Sequence, residues 1–157
     1  MPANDDFLRE FFVDCQNAMR HRSETEYKLL NLFMILNAAI ISVVIGVDEF
    51  VTDNVKFIGV TFSMVAFLTF ITILVHNKIK AEHEIYEKLG QQVVKIWEYF
   101  ELFKKGAYID NDMILDEEAR NYGKGKGYLR TLHILWGMTI ITDTILIIFG
   151  IIKLASI

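Results

Sequence analysis

The chain has 157 residues, 53% of them hydrophobic, with one proline, one cysteine and a formal net charge of −4. The lone Cys15 excludes an internal disulfide framework, and the charge, close to balance, points to no particular partner. So much apolar residue in one domain leaves two classes, a large buried core or a membrane protein, and its distribution along the chain decides between them.

Residues 1–28 read as a cytoplasmic amphipathic helix. Asn4 suits the N-cap, and Asp5, Asp6 and Glu10 suit the positive end of the helix dipole. Phe7, Leu8, Phe11, Phe12, Cys15 and Met19 recur at helical spacing and form one apolar stripe. Arg20, Arg22 and Lys28 are too few for a strong surface anchor, so the stripe is expected to pack on another cytoplasmic helix rather than lie flat on a membrane. Cys15 then serves as a small apolar residue of that stripe rather than a palmitoylation site. No short apolar segment with a cleavage site marks a signal peptide here. No Gly or Pro interrupts "HRSETEYK", so the helix is expected to run on into the first apolar run.

Three runs follow: residues 29–47, 55–75 and 132–154. Each is close to the roughly 20 residues that cross a hydrocarbon core. They are apolar all round, whereas a helix of a soluble bundle keeps a polar face. The expected class is therefore an all-α integral membrane protein with three transmembrane helices. The turn at 48–54, "DEFVTDN", has no basic residue. All Lys and Arg except Lys56 and Lys153 lie before the first run or between the second and third. By the positive-inside rule the N-terminus and the central segment are cytoplasmic, and the 48–54 turn and the tail at 155–157 face out, in a multi-pass inner-membrane arrangement.

Residues 76–105 are expected to continue the second span as one long helix. Ile79, Glu82, Tyr86, Leu89, Val93, Ile96, Phe100 and Phe103 alternate at spacings of three and four, a heptad seam with one polar member. This cytoplasmic extension would project roughly 40 Å. Its partner is the N-terminal helix, a second copy, or both. The bulky aromatics favour an intramolecular pair that also oligomerises. Gly90 softens the helix, and Lys104, Lys105 and Gly106 suit its C-terminal end. Residues 106–131 form a cytoplasmic linker. In it "MILDEEARNY" suits a short helix capped by Asp110 or Asp112, and "GKGKG" at 123–127 reads as a flexible basic link. That link lacks the glycine spacing and hydroxyl residue of a P-loop. Lys124, Lys126 and Arg130 could still meet an anionic regulator.

Catalysis finds no support. The four histidines are dispersed, and His76 and His83 stand about 10 Å apart along one helix, too far to share a metal. No cofactor is implied. The polar residues inside the spans carry more information. Asp143 sits at the centre of the third run, where insertion of a carboxylate costs about 2.5–3.5 kcal/mol. No Lys or Arg lies in the interior of a span to pair with it. Asn37 lies at similar depth, which predicts an Asn37–Asp143 hydrogen bond within a subunit or across an interface. Trp136, Thr139, Asp143, Leu146 and Gly150 make one face of the third helix, and Thr69, Thr72 and His76 make a stripe on the second. Ala38, Ser42 and Gly46, and likewise Gly59 and Ser63, permit close helix contact.

Three helices hardly enclose a pore alone, so a conducting role implies a homo-oligomer in which a ring of Asp143 side chains favours cations. A non-conducting adaptor, with Asp143 as a buried specificity device, is the other expectation. The plan of residues 9–105 is an N-terminal helix leading through "HRSETEYK" into a span, a short acidic turn, then a long helical extension. It resembles the SLATT-type small membrane effectors of bacterial conflict and antiphage systems, and is similar to channel effectors of the Hailong type. The third span is additional to that plan. The resemblance implies oligomeric pore formation in antiphage defence, gated through the cytoplasmic helices by a regulatory protein, nucleotide or oligonucleotide signal.

Overall fold

The computed structural model describes residues 2–50, 53–110, 112–125 and 127–155, without the side chains of 2–4 and 48–50. The chain is all-helical: α1 Pro2–Phe50, α2 Asn54–Tyr99, a 3₁₀ turn Glu117–Asn121 and α3 Gly127–Ala155. All three α-helices are long and apolar enough to cross a membrane. Helix α1 starts at Pro2, ahead of the expected Asn4 cap, and runs to Phe50, so the expected 48–54 turn is shorter than its bounds. Residues 51–52, Lys126 and residues 156–157 lie outside the described residues.

The ends of α2 follow local chemistry. Asp53 caps its start, where Oδ1 accepts from the Val55 N–H at 3.0 Å and the Lys56 N–H at 3.4 Å. The Lys56 N–H chiefly, with that of Val55, holds the Asp53 carboxyl below the usual carboxylate range. At the other end α2 stops at Tyr99, short of the expected Lys104–Gly106. The Leu102 N–H donates to the Trp97 carbonyl and the Glu101 N–H to the Glu98 carbonyl, each at 3.0 Å. That bond pair is a Schellman motif, and its left-handed position is Glu101, with φ 57°. A glutamate is a poor choice there, at a cost of about 1–2 kcal/mol. Gly106, with φ 75°, turns the chain again farther on. The helix expected in "MILDEEARNY" is only the 3₁₀ turn, and Asp116, not Asp110 or Asp112, precedes it without a side-chain cap bond.

The chain divides into two compact units, Met1–Glu26 with Lys80–Tyr128, and Tyr27–Ile79 with Leu129–Ile157. In the first, the α1 stripe meets the α2 seam. Cys15, Met19 and Val93 are buried, and Phe12, Tyr86, Leu89, Trp97 and Tyr122 pack around them. Burial, and then Asp14, pushes the Cys15 thiol up, in keeping with a packing residue of the stripe. The polar seam member Glu82 is accounted for by an ion pair with Arg22. Arg120 pairs with Glu98 and Glu117 and lies 4.5 Å from the Phe103 ring centre.

Gly90 and Gly123 correct two expectations. A Cβ on Gly90 would stand 2.6 Å from the Gly123 Cα, and one on Gly123 would stand 2.8 Å from the Gly90 Cα. Gly90 is thus not a soft point but the seat on which the 122–124 backbone lies. Gly123 has φ 84°, and Gln91 Nε2 donates to the Tyr122 carbonyl at 3.1 Å. This part of the basic link is pinned rather than a free linker.

The second unit buries Phe33, Ile40 and Val44 of α1, Phe57, Leu68 and Ile79 of α2, and Leu132, Leu135 and Leu146 of α3. Thr61, Thr72, Thr139, Thr142 and Asn37 are buried with them. Only 17–28% of the most apolar stretch of each helix is buried, and residues such as Ile35 and Ile141 stand more than 60% exposed.

Candidate functional site: a polar ladder between α2 and α3

Side-chain hydrogen bonds link α2 to α3 in the second unit. Thr69 Oγ1 donates to Asp143 Oδ2 at 3.2 Å. The Thr72 and Thr139 hydroxyls lie 2.8 Å apart. Trp136 Nε1 donates to His76 Nδ1 at 3.1 Å. The spacing explains the ladder. Thr69, Thr72 and His76 step by three and four along α2, while Asp143, Thr139 and Trp136 step by four and three along α3. Antiparallel helices bring such complementary steps face to face. Farther along the same contact, Gly150 leaves room for Thr61, whose Cγ2 would lie 3.7 Å from a Cβ there, and Lys153 Nζ stands 5.6 Å from the Phe57 ring centre.

The rungs differ in how completely they are satisfied. Thr72 and Thr139 also approach their own helix carbonyls, at Leu68 and Leu135, at 2.8 and 3.0 Å. Two hydroxyl protons serve three contacts, so one threonine donates across while the other keeps its backbone acceptor. Asp143 is different. Its Oδ2 has Thr69, but its Oδ1 is buried without a hydrogen-bond partner. A buried oxygen left in that state forfeits about 1–3 kcal/mol.

Asn37 does not complete the Asp143 site. Its Nδ2 donates to the Phe33 carbonyl of its own helix at 2.8 Å, and its Oδ1 is buried without a partner. The Asn37–Asp143 bond expected within a subunit is therefore not made. Equal depth says nothing about the direction in which each helix turns its side chain. The two stripes on α2 and α3 were visible in the sequence, and the signal that joins them was the complement of their spacings.

The other singled-out residues are dispersed by role. Tyr86, Leu89, Val93, Ile96, Phe100 and Phe103 lie in the first unit, Val93, Ile96 and Phe103 buried and the rest half-buried. Phe100 and Phe103 lie beyond the end of α2, and Ile79 is fully buried in the second unit. The α1 stripe covers the middle of the seam, at Tyr86, Leu89 and Val93. Lys124 is exposed in the first unit and Arg130 in the second. The small residues Ala38, Ser42, Gly59 and Ser63 are exposed, and a Cβ on Gly46 or Gly59 would touch nothing within 4 Å.

No family model, curated protein or solved structure matches the chain.

Proposed function

We propose that the chain is a multi-pass membrane protein that assembles with copies of itself into a cation-conducting channel. The observation that carries the reading is Asp143, a carboxylate in the middle of an apolar helix with one oxygen held by Thr69 and the other unpartnered. Ionisable groups at that depth mark pathways more often than packing. The outward-facing apolar surface of the second unit fits a lipid environment. The unpartnered small residues of α1 and α2 fit close contact between copies. The distribution of basic residues favours a cytoplasmic N-terminus. Because α1 and α2 run unbroken from one unit into the other, the first unit is the natural place for a gate, open to a regulatory protein or small signal. The role in antiphage defence rests on the plan-level resemblance and is tested by phage challenge of cells carrying the chain with its genomic neighbours.

The decisive measurement is ion flux from purified protein in liposomes. Wild-type protein should conduct above protein-free vesicles, and Asp143→Asn should lower the flux or its cation selectivity severalfold. Equal flux with and without protein defeats the reading. A non-conducting adaptor is the second reading, favoured by the closed Thr72–Thr139 and Trp136–His76 rungs, which need no water.

A further inference from the structure

A hollow of about 370 Å³ in the first unit is walled by Lys80, His83, Glu84 and Glu87 of α2, by Lys124 of the pinned link, and by Tyr128. Its volume falls at the small end of the about 300–1,000 Å³ typical of ligand sites. His83 and Tyr128 stack with ring centres 3.9 Å apart and planes 19° from parallel. The loop wall is held by the Gly90–Gly123 contact and the Gln91–Tyr122 bond, so Lys124 is not at the end of a free strand.

The charges are the unusual part. Two ammonium and two carboxylate side chains line one hollow, and among the described residues none of the four is in an ion pair. Lys80 and Glu84 are four residues apart on one helix, a spacing that commonly pairs, though with the basic residue first the order is the weaker one. A purely anionic ligand would gain from the lysines and be repelled by the glutamates, and a simple cation the reverse. A zwitterion with separated phosphate and ammonium groups satisfies both pairs.

We infer that this hollow binds a phosphoethanolamine headgroup, the phosphate toward Lys80 and Lys124 and the primary ammonium toward Glu84 and Glu87. The sequence position suggests a lipid as its source. Lys80 follows the apolar run of α2 by five residues, and Tyr128 precedes that of α3 by four. Lysine and tyrosine at such places commonly meet lipid headgroups. Only the lipid source rests on the membrane reading above. The headgroup chemistry rests on the hollow.

The test uses full-length protein in two arms. In nanodiscs of equal parts phosphatidylethanolamine, phosphatidylglycerol and phosphatidylcholine, native mass spectrometry reads which lipid stays bound. In detergent alone, NMR reads binding of soluble glycerophosphoethanolamine. Phosphatidylethanolamine should be retained over both other lipids by roughly threefold, the yield of one exposed ion pair. The double variant Glu84→Gln/Glu87→Gln should shift the preference to phosphatidylglycerol, and Lys80→Gln/Lys124→Gln should abolish retention of phosphatidylethanolamine. Circular dichroism confirms that both variants stay folded. Equal retention of the three lipids by wild type, with no binding of the soluble headgroup, overturns the inference. Binding of the soluble headgroup without lipid selectivity overturns the lipid source and keeps the site. Neither arm reads conduction, so failure of the channel reading leaves the result intact.

Discussion

The two units solve the burial problem in opposite ways. The first turns its apolar seam inward against α1, around Met19 and Val93, and keeps its charges outside or paired, as Arg22 is with Glu82. The second turns most of its isoleucine and phenylalanine outward and buries threonines. In water the first arrangement is driven by the removal of apolar surface, at about 25 cal/mol per Å². The second would forfeit that gain, and it is economical only where the surroundings are themselves apolar and the helices must be joined by packing and hydrogen bonds. The contrast says more about the environment of the chain than hydrophobic content does.

The contrast can be broken most strongly at Met19. Met19→Ala should cost the first unit about 2–5 kcal/mol, as loss of a buried side chain does. Hydrogen exchange should show the loss in residues 12–22 and 89–97. The matching substitution Ile141→Ala in the second unit, at a residue 62% exposed, should stay within about 0.5 kcal/mol in detergent. Equal costs would remove the distinction between the units. Next in size is Gly123→Ala. It forces a side chain into a left-handed position and against the Gly90 backbone, for about 2–3 kcal/mol, and exchange at residues 121–125 should report the loosened loop.

Within the second unit, Thr72→Val with Thr139→Val replaces a rung by apolar groups of similar shape. Because both partners go together, the expected loss is only about 0.6 kcal/mol, read from unfolding in mixed micelles. Thr72→Val alone should cost no more than the double variant, because the Thr139 hydroxyl keeps the Leu135 carbonyl as its acceptor. The smallest effect is a pH dependence. Burial holds the His83 imidazole below its usual range, against the opposing pull of Glu87 and Glu84, in a hollow that also contains Lys80 and Lys124. The folded chain therefore favours neutral His83. Its contribution to stability is present above about pH 6.5 and is lost as pH falls through the lower folded value. Amide protection near 83 and 128 should decline between pH 7 and pH 5, and His83→Phe should flatten that decline.

Much of this architecture can be read from residue order. The three apolar runs, the α1 stripe and the α2 seam are periodic signals that survive translation into helices. The polar stripes on α2 and α3 were equally visible. Their pairing was not, because depth along a helix fixes height and not rotation, and height is all that Asn37 shares with Asp143. The early end of α2 was hidden because Glu101 occupies a position that glycine usually marks. The Gly90–Gly123 seat joins residues far apart in the chain, and each glycine alone suggested only flexibility.

The ladder has a mechanical consequence. Sliding α2 along α3 by one residue would part all three rungs together, and no short slide restores them. Among the described residues, no side chain of α1 between Leu29 and Val47 hydrogen-bonds either of the other helices; Asn37 and Ser42 bond back to their own backbone. The α2–α3 pair is thus geared like meshed teeth, while the 29–47 part of α1 meets it through apolar side chains, and the Arg22–Glu82 ion pair ties α1 to α2 only in the first unit. Within the second unit, a change in the packing of α1 would leave the ladder intact, whereas any slide of α2 on α3 would break it.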